Sequence, residues 1–222
     1  MNSAREIKNL LYEQVARIGK AASSPKRLEL IEILCQGEKS VEQLAADAEI
    51  SVKLASAHLK ELKAARLVEA RRDGKNRYYS LVDSQVADLW VMLRELAEER
   101  LLELQVAMRE FVARPDELAP FSRDDLLALA QRGEIFVIDV RPEPEYALAH
   151  LPYARSVPIS ELKHRLSELP NDRPVVAYCR GPFCLMAKEA VELLTQEGYR
   201  ALRLEDGIAE WRLHGLPLAE DR

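Results

Sequence analysis

Cysteine is scarce in this chain of 222 residues, which has only Cys35, Cys179 and Cys184. So small and odd a number excludes a scaffold held together by disulfides. In a reducing compartment, each cysteine is expected either to pack in the core or to act as a reactive thiol. No apolar run approaches the roughly 18–20 residues that a membrane helix needs. The charged start, MNSAREIKNL, has no apolar core of a secretory signal. We therefore expect a cytoplasmic protein with no membrane partner.

The charge is unevenly distributed along the chain. Hydrophobic residues make up 48% and charged residues 31%, which is typical of a globular protein, and the length suits one or two domains. The net charge is −5, yet residues 51–80 hold eight Lys and Arg against three Asp and Glu, a net of +5. A basic stretch in an acidic chain is the electrostatic footprint expected of a nucleic-acid contact, which the overall pI of 5.6 hides.

The spacing of apolar residues differs between the two halves of the chain. Residues up to about 112 have helical spacing, interrupted by two short strand patterns that flank Asp73-Gly74, a hairpin signal. The predicted helices are 7–18, 27–35, 41–48, 52–64 and a long one from Ser84 to Val112. Prolines at 115 and 120 then break the helix. We predict a first domain over residues 1–114, a linker over 115–120 and a second domain over 121–222.

The long helix carries a near-heptad apolar seam, spaced 3 or 4 residues apart, made of Trp90, Leu93, Ala97, Leu101, Leu104, Met108 and Phe111. Such a stripe is buried either against its own domain or against a second copy of the chain. We favour the second copy, so the seam predicts a homodimer.

The second half alternates between strands and helices. The apolar runs at 135–138 and 175–178 are typical of buried parallel strands, and helical patterns cover 123–131, 161–168 and 185–197. This alternation predicts an α/β domain with a parallel sheet.

The first half has the element order of a winged helix-turn-helix, in which the second helix enters the major groove and the wing contacts the backbone. Leu54, Leu59 and Leu62 are predicted to face inward on that helix. Its candidate DNA contacts are Ser51, Lys53, Ser56, His58 and Lys60, and those of the wing are Arg71, Arg72, Lys75, Asn76 and Arg77.

These segments resemble the ArsR-type repressors. The resemblance covers about residues 10–110 and is carried by the run SPKRLELI at 24–31, the pair Leu44-Ala45, the recognition helix SVKLASAHLKEL at 51–62 and the wing residues. It implies a mainly α winged helix-turn-helix and a homodimer that leaves operator DNA when an inducer binds.

The usual metal site of that family is not expected here. Several members use a Cys-x-Cys pair before the recognition helix, but residues 38–44 contain no cysteine, and residues 84–112 contain neither His nor Cys. We predict no metal and no cofactor. Cys35 lies among apolar neighbours and is expected to be buried; pairing with Cys35 of a second chain, or receiving sulfur, stays open.

The segment Cys179-Arg180-Gly181-Pro182-Phe183-Cys184 is the sharpest chemical signal. Cys179 follows a predicted strand and precedes a helix that starts near Leu185. Backbone N–H groups, the helix dipole and Arg180 would all favour the thiolate. Cys184 either resolves a modified Cys179 into a disulfide or packs inward, since the spacing alone does not decide.

Residues 121–220 resemble a rhodanese domain. The resemblance is carried by Asp139-Val140-Arg141, His150-Leu151-Pro152 and the closing run LEDGIAEW at 204–211. It implies that Cys179 takes sulfane sulfur from a donor, holds it as a persulfide and passes it to a thiol acceptor, while Asp139 and Arg141 line or brace the loop. The family's loop ends in Arg or Ser/Thr, whereas this one ends in Cys184, Leu185 and Met186, which disfavours phosphatase chemistry and thiosulfate as the best substrate.

Three functions follow in order of preference. The first is a dimeric DNA-binding repressor that receives a sulfur or redox signal through its rhodanese-like domain. The second is a cytoplasmic sulfurtransferase whose helical half mainly dimerises; a dimerisation module has no need of the basic stretch. The third, a regulator fused to an arsenate reductase, is disfavoured by the absence of a loop arginine.

Overall fold

A computed structural model describes residues 3–112 and 117–220. By its internal contacts the chain divides into two units, with the division after Trp90. No helix among the described residues is both long and apolar enough to cross a membrane.

The first unit is mainly helical and carries one small antiparallel sheet. Its elements are α1 (Ala4–Ala22), α2 (Pro25–Leu34), β1 (Lys39–Ser40), α3 (Val41–Asp47), α4 (Val52–Ala64), β2 (Val68–Asp73) and β3 (Asn76–Leu81). Ser40 caps α3 in a reciprocal pair with Gln43, and the hydroxyl of Ser51 accepts the Leu54 N–H at the start of α4. The sheet has the order β1-β3-β2, and Gly74, at a φ of 58°, provides the tight turn between β2 and β3.

Next along the chain come α5 (Ser84–Arg100), which continues past the division at Trp90, and α6 (Leu102–Val112). The prediction of one helix from Ser84 to Val112 is therefore wrong. The side-chain amide of Gln105 donates to the carbonyls of Glu98 at 2.9 Å and Glu99 at 3.4 Å. The Gln105 amide takes the place of the backbone N–H groups that would bind these two carbonyls in a continuous helix. The helix therefore breaks at Leu101 without a proline or glycine.

The rest of the second unit is an α/β fold around a four-stranded parallel sheet. Its elements are α7 (Arg123–Gln131), β4 (Phe136–Asp139), α8 (Glu143–Leu148), β5 (Arg155–Ser156), α9 (Ile159–Leu162), β6 (Val175–Tyr178), α10 (Leu185–Gln196), β7 (Ala201–Arg203) and α11 (Ile208–Leu213). The sheet has the order β5-β4-β6-β7, and both of its faces pack against apolar side chains, as continuous apolar strands require.

One further expectation changes in this unit. The helix predicted over 161–168 is replaced by α9 and a single 3₁₀ turn at Leu166–Glu168. Residues 115 and 116 of the predicted linker lie outside the described residues. The part that is described contacts the sheet, because Leu118 forms a parallel bridge to Arg203 and the Ala119 N–H donates to the Arg203 carbonyl at 2.9 Å.

Candidate functional sites

A basic groove of about 720 Å³ lies between α4 and the β2–β3 hairpin. Its lining contains five cations and no carboxylate, which is the arrangement that a phosphate backbone requires. The residues that line it are Val41, Ser56, Lys60, Lys63, Arg72, Gly74, Lys75, Asn76, Arg77 and Tyr79.

The packing of α4 decides which of its side chains reach this groove. Ala55, Leu59 and Leu62 are buried, so Ser56, Lys60 and Lys63 project from the exposed surface. The prediction that Leu54 faces inward is wrong, since it is 43% exposed. Lys63 was missed, although its spacing from Ser56 and Lys60 places it on the same face.

The groove gathers six of the ten candidate DNA contacts, and the other four lie elsewhere. Its lining does not include Ser51, Lys53 or His58. Ser51 caps the helix, Lys53 is exposed and His58 is half-buried.

Arg71 lies on the opposite face of the hairpin. In the strand register Arg72 pairs with Arg77, whereas Arg71 pairs with Tyr78, and successive strand residues point to opposite faces. The Arg71 guanidinium donates to Glu38 at 2.6 to 2.9 Å and lies 4.7 Å from the centre of the Tyr78 ring. It is thus engaged within the chain instead of lining the groove.

The thiol loop, residues 179–184, joins the central strand β6 to α10. Cys179 and Cys184 form a disulfide with a Cα–Cα distance of 6.2 Å. Cys179 is only 1% exposed, whereas Cys184, which begins α10, is partly exposed. The structure therefore brings together the two sulfurs whose spacing in the sequence left their contact undecided.

Arg180 is held by an acidic neighbour. Its Nη2 and Nε donate to the two carboxylate oxygens of Glu145 at 2.6 and 3.1 Å, and the Glu145 side chain is buried. This bidentate pair offsets the positive charge that the sequence placed beside Cys179. Glu145 was not a candidate residue; its position between Arg141 and His150, which lie in two segments that carry the rhodanese resemblance, was the signal that could have found it.

Asp139 and Arg141 brace the sheet beneath the loop. The buried Arg141 donates through Nε to both Asp139 oxygens at 3.0 and 3.1 Å, and through Nη2 to the Ala149 carbonyl at 2.7 Å. Its guanidinium carbon lies 5.7 Å from the ring centre of Tyr178, the residue before Cys179. Burial, together with the charge of Asp139, raises the pKa of Tyr178 well above its usual range.

Gly207 packs directly against the thiol loop. A Cβ at this position would lie 2.3 Å from the Arg180 carbonyl oxygen and 2.9 Å from that of Cys179, so only glycine fits. The Gly207 N–H donates to Glu210 at 2.8 Å, which caps α11. Neither residue was among the candidates, although both lie in the run LEDGIAEW.

Each half of the chain matches a known protein family. Residues 24–70 match the bacterial regulatory protein family arsR, and residues 122–214 match the rhodanese-like domain. The HTH-type transcriptional regulator Rv0324 of Mycobacterium tuberculosis is 42% identical over 213 residues, which cover 96% of this chain and 93% of that protein.

Two other relatives match one half each. A sulfurtransferase of Allochromatium vinosum is 38% identical over 91 residues, 40% of this chain and 83% of that protein. A homodimeric winged helix-turn-helix DNA-binding domain of Mycobacterium bovis, solved by NMR, is 40% identical, with a TM-score of 0.42 over 46% of this chain and 94% of that one. Since Rv0324 matches nearly end to end, the chain belongs to the ArsR-family DNA-binding transcriptional regulators with a C-terminal rhodanese-like domain.

Proposed function

We propose that this protein is a homodimeric repressor that binds operator DNA through the basic groove and releases it when its thiol loop receives sulfane sulfur or is oxidised. The observation that carries the sulfur part is the Cys179–Cys184 disulfide at the end of β6. A thiol pair at that place can exist as dithiol, persulfide or disulfide, and these are distinct states that a regulator can report.

The basic groove supports the proposed binding of operator DNA. Lys60, Lys63 and Arg72, with Lys75 and Arg77, form one cationic lining on α4 and the hairpin. Cations placed along a groove neutralise phosphates and release their counterions, which gives affinity that falls steeply with salt. A sulfurtransferase with a mere dimerisation module has no use for this lining, so the groove favours the regulator over that alternative.

Exposed apolar faces support the homodimer. On α1, Ile7, Leu11 and Val15 are exposed, as are Met92 and Leu96 on α5. Surface stripes of this kind mark association sites in proteins. The two ends of the predicted seam are engaged within the chain: Trp90 is buried, and the Phe111 ring lies 5.3 Å from Lys188 Nζ and 5.2 Å from the Arg203 guanidinium carbon.

The proposed chemistry runs through both cysteines of the loop. The Cys179 thiolate attacks the outer sulfur of a donor persulfide, whose S–S bond breaks to leave a donor thiolate and a Cys179 persulfide. The Cys184 thiolate then attacks Cys179 Sγ and displaces the terminal sulfur as hydrosulfide. The two thiols are oxidised to the disulfide while the sulfane sulfur is reduced. Two molecules of a low-molecular-weight thiol then restore the dithiol and leave as their own disulfide.

Access to the disulfide indicates where that reducing thiol attacks. Cys179 is buried and Cys184 is partly exposed, so the incoming thiolate attacks Cys184 Sγ and Cys179 leaves as the thiolate. The leaving thiolate lies close to the N-terminus of α10, where the helix dipole stabilises negative charge.

Intact-mass analysis with paired DNA-binding measurements tests the proposal. The reduced full-length protein is treated with inorganic polysulfide, and its affinity for a duplex from its own promoter is measured before and after. We expect a Cys179–Cys184 disulfide and weaker DNA binding in the wild type. Cys184→Ser should accumulate the Cys179 persulfide, and Cys179→Ser should neither take up sulfur nor respond.

Cys35→Ser is the matched control, because Cys35 is a buried cysteine outside the loop, and it should behave as the wild type does. Sulfur found on Cys35, or DNA binding that ignores the state of the loop, would contradict the proposed signal. Sulfur transfer without any DNA binding would favour the sulfurtransferase instead.

A further inference from the structure

A buried ion pair links α5 to α11 within the second unit. Arg94 Nη2 lies 3.1 Å from Glu210 Oε1, and the two side chains are 4% and 2% exposed. Arg94 also contacts Glu98, one turn further along α5, at 2.6 Å. Breaking a buried pair leaves an uncompensated charge, so the two elements are held together in a defined geometry.

The other carboxylate oxygen of Glu210 holds the backbone next to the thiol loop. Glu210 Oε2 accepts the Gly207 N–H at 2.8 Å. One carboxylate thus contacts α5 through one oxygen and the start of α11 through the other. A displacement of Gly207 is expected to move the partner of Arg94.

Gly207 packs so closely against the thiol loop that a movement of the loop towards it must displace the Gly207 backbone. The 2.3 Å between an ideal Cβ at Gly207 and the Arg180 carbonyl oxygen shows that the two backbones are in close contact. Closing or opening the Cys179–Cys184 bond is expected to shift the backbone that carries this carbonyl, since a disulfide restricts the separation of its two Cα atoms, which is 6.2 Å here.

We propose that Arg94 and Glu210 are positioning residues that couple the state of the Cys179–Cys184 loop to α5, and through α5 to the DNA-binding groove. α5 is continuous from Ser84 to Arg100, and the strand before it, β3, carries the groove residue Arg77 and ends at Leu81. The inference rests on the proposed function, because it requires a loop that changes state and a groove that binds DNA.

The ratio of the DNA dissociation constants of the disulfide and dithiol forms measures this coupling. Allosteric coupling typically changes affinity by roughly 5- to 150-fold, and we expect a ratio in that range for the wild type. In Glu210→Gln the amide oxygen can still accept the Gly207 N–H, but the ion pair is lost. We expect its ratio to fall to about one, with DNA affinity of the dithiol form and disulfide formation unchanged.

Arg94→Gln should behave in the same way, and Arg94→Lys should restore part of the ratio. Arg100→Gln is the control on the same helix, because Arg100 pairs at 3.5 Å with Glu99 in an exposed position. It should keep the wild-type ratio. If one of the two neutral variants fails to fold, the other carries the test.

Any of the following outcomes would contradict the proposed coupling. If Glu210→Gln and Arg94→Gln keep the full ratio, the pair is merely structural while the proposed function stands. If the variants no longer form the disulfide, or if Arg100→Gln loses the ratio equally, the pair does not act specifically between loop and helix. A wild-type ratio of one rejects the proposed signal itself, and the coupling with it.

Discussion

Glu145 binds the guanidinium of Arg180 through both carboxylate oxygens, at 2.6 and 3.1 Å. Arg180 directly follows the buried Cys179, and its positive charge is therefore neutralised by the buried carboxylate of Glu145 on α8. A loop of this kind offers an anionic donor less attraction than the sequence indicates.

Removing the charge of Glu145 should activate the thiol. We expect Glu145→Gln, in a Cys184→Ser background, to raise the alkylation rate of reduced Cys179 at neutral pH severalfold, because the freed Arg180 charge favours the thiolate. The measurement is iodoacetamide modification followed by peptide mass. Glu143→Gln is the control, since Glu143 is exposed on the same helix; an equal rate in Glu145→Gln and its background would contradict the charge argument.

The two arginines at the start of the wing should differ in their effect on DNA binding. Arg72 lines the groove, whereas Arg71 is bound to Glu38 on the opposite face. Arg72→Ala should weaken binding to all sequences and lower the salt slope by about 0.9, the value for one lost phosphate contact. Arg71→Ala should change the slope much less.

Fluorescence anisotropy across a series of salt concentrations measures this slope, and Arg77→Ala provides a second test of the groove. If Arg71→Ala has the larger effect, the wing contacts DNA through its other face.

Charged side chains on the exposed face of α5 and at the break after it should prevent dimer formation. Leu93 is 38% exposed and Leu101 is 51% exposed. We expect Leu93→Glu and Leu101→Glu to give monomers and to abolish tight operator binding, because burying an unpaired charge is costly. Sedimentation at micromolar concentration reports the mass. Leu148→Glu is the control, as an exposed leucine on α8, and a monomeric wild type would refute the dimer.

Gly207 should tolerate no side chain. Gly207→Ala places a Cβ 2.3 Å from a backbone oxygen, so the loop or α11 must shift, and overpacking of this kind lowers the free energy of unfolding by roughly 1–3 kcal/mol. Chemical denaturation measures the loss. Gly19→Ala is the control, because nothing lies within 4 Å of its Cβ and alanine favours the helix. Equal stability of both variants would show that the close contact is unimportant.

The sequence alone determined the two domain types and the kinds of residue in each site. Local signals carried this information: the Asp73-Gly74 turn, the Ser51 cap and the apolar strand before Cys179 are all set by neighbours in the chain. The basic stretch at 51–80 likewise predicts a cationic surface from the sequence alone.

Tertiary structure decided everything that depends on distant partners. The pairing of Cys179 with Cys184 needed the loop geometry, and the bonds of Arg180 to Glu145 and of Arg71 to Glu38 join residues 35 and 33 positions apart. The side-chain amide of Gln105 caps the end of α5 at a place where no proline or glycine marks the break. Helical and strand periodicity report which face of an element is apolar, but they do not report which side chain of another element meets it, and that is what the charges and sulfurs of these sites depend on.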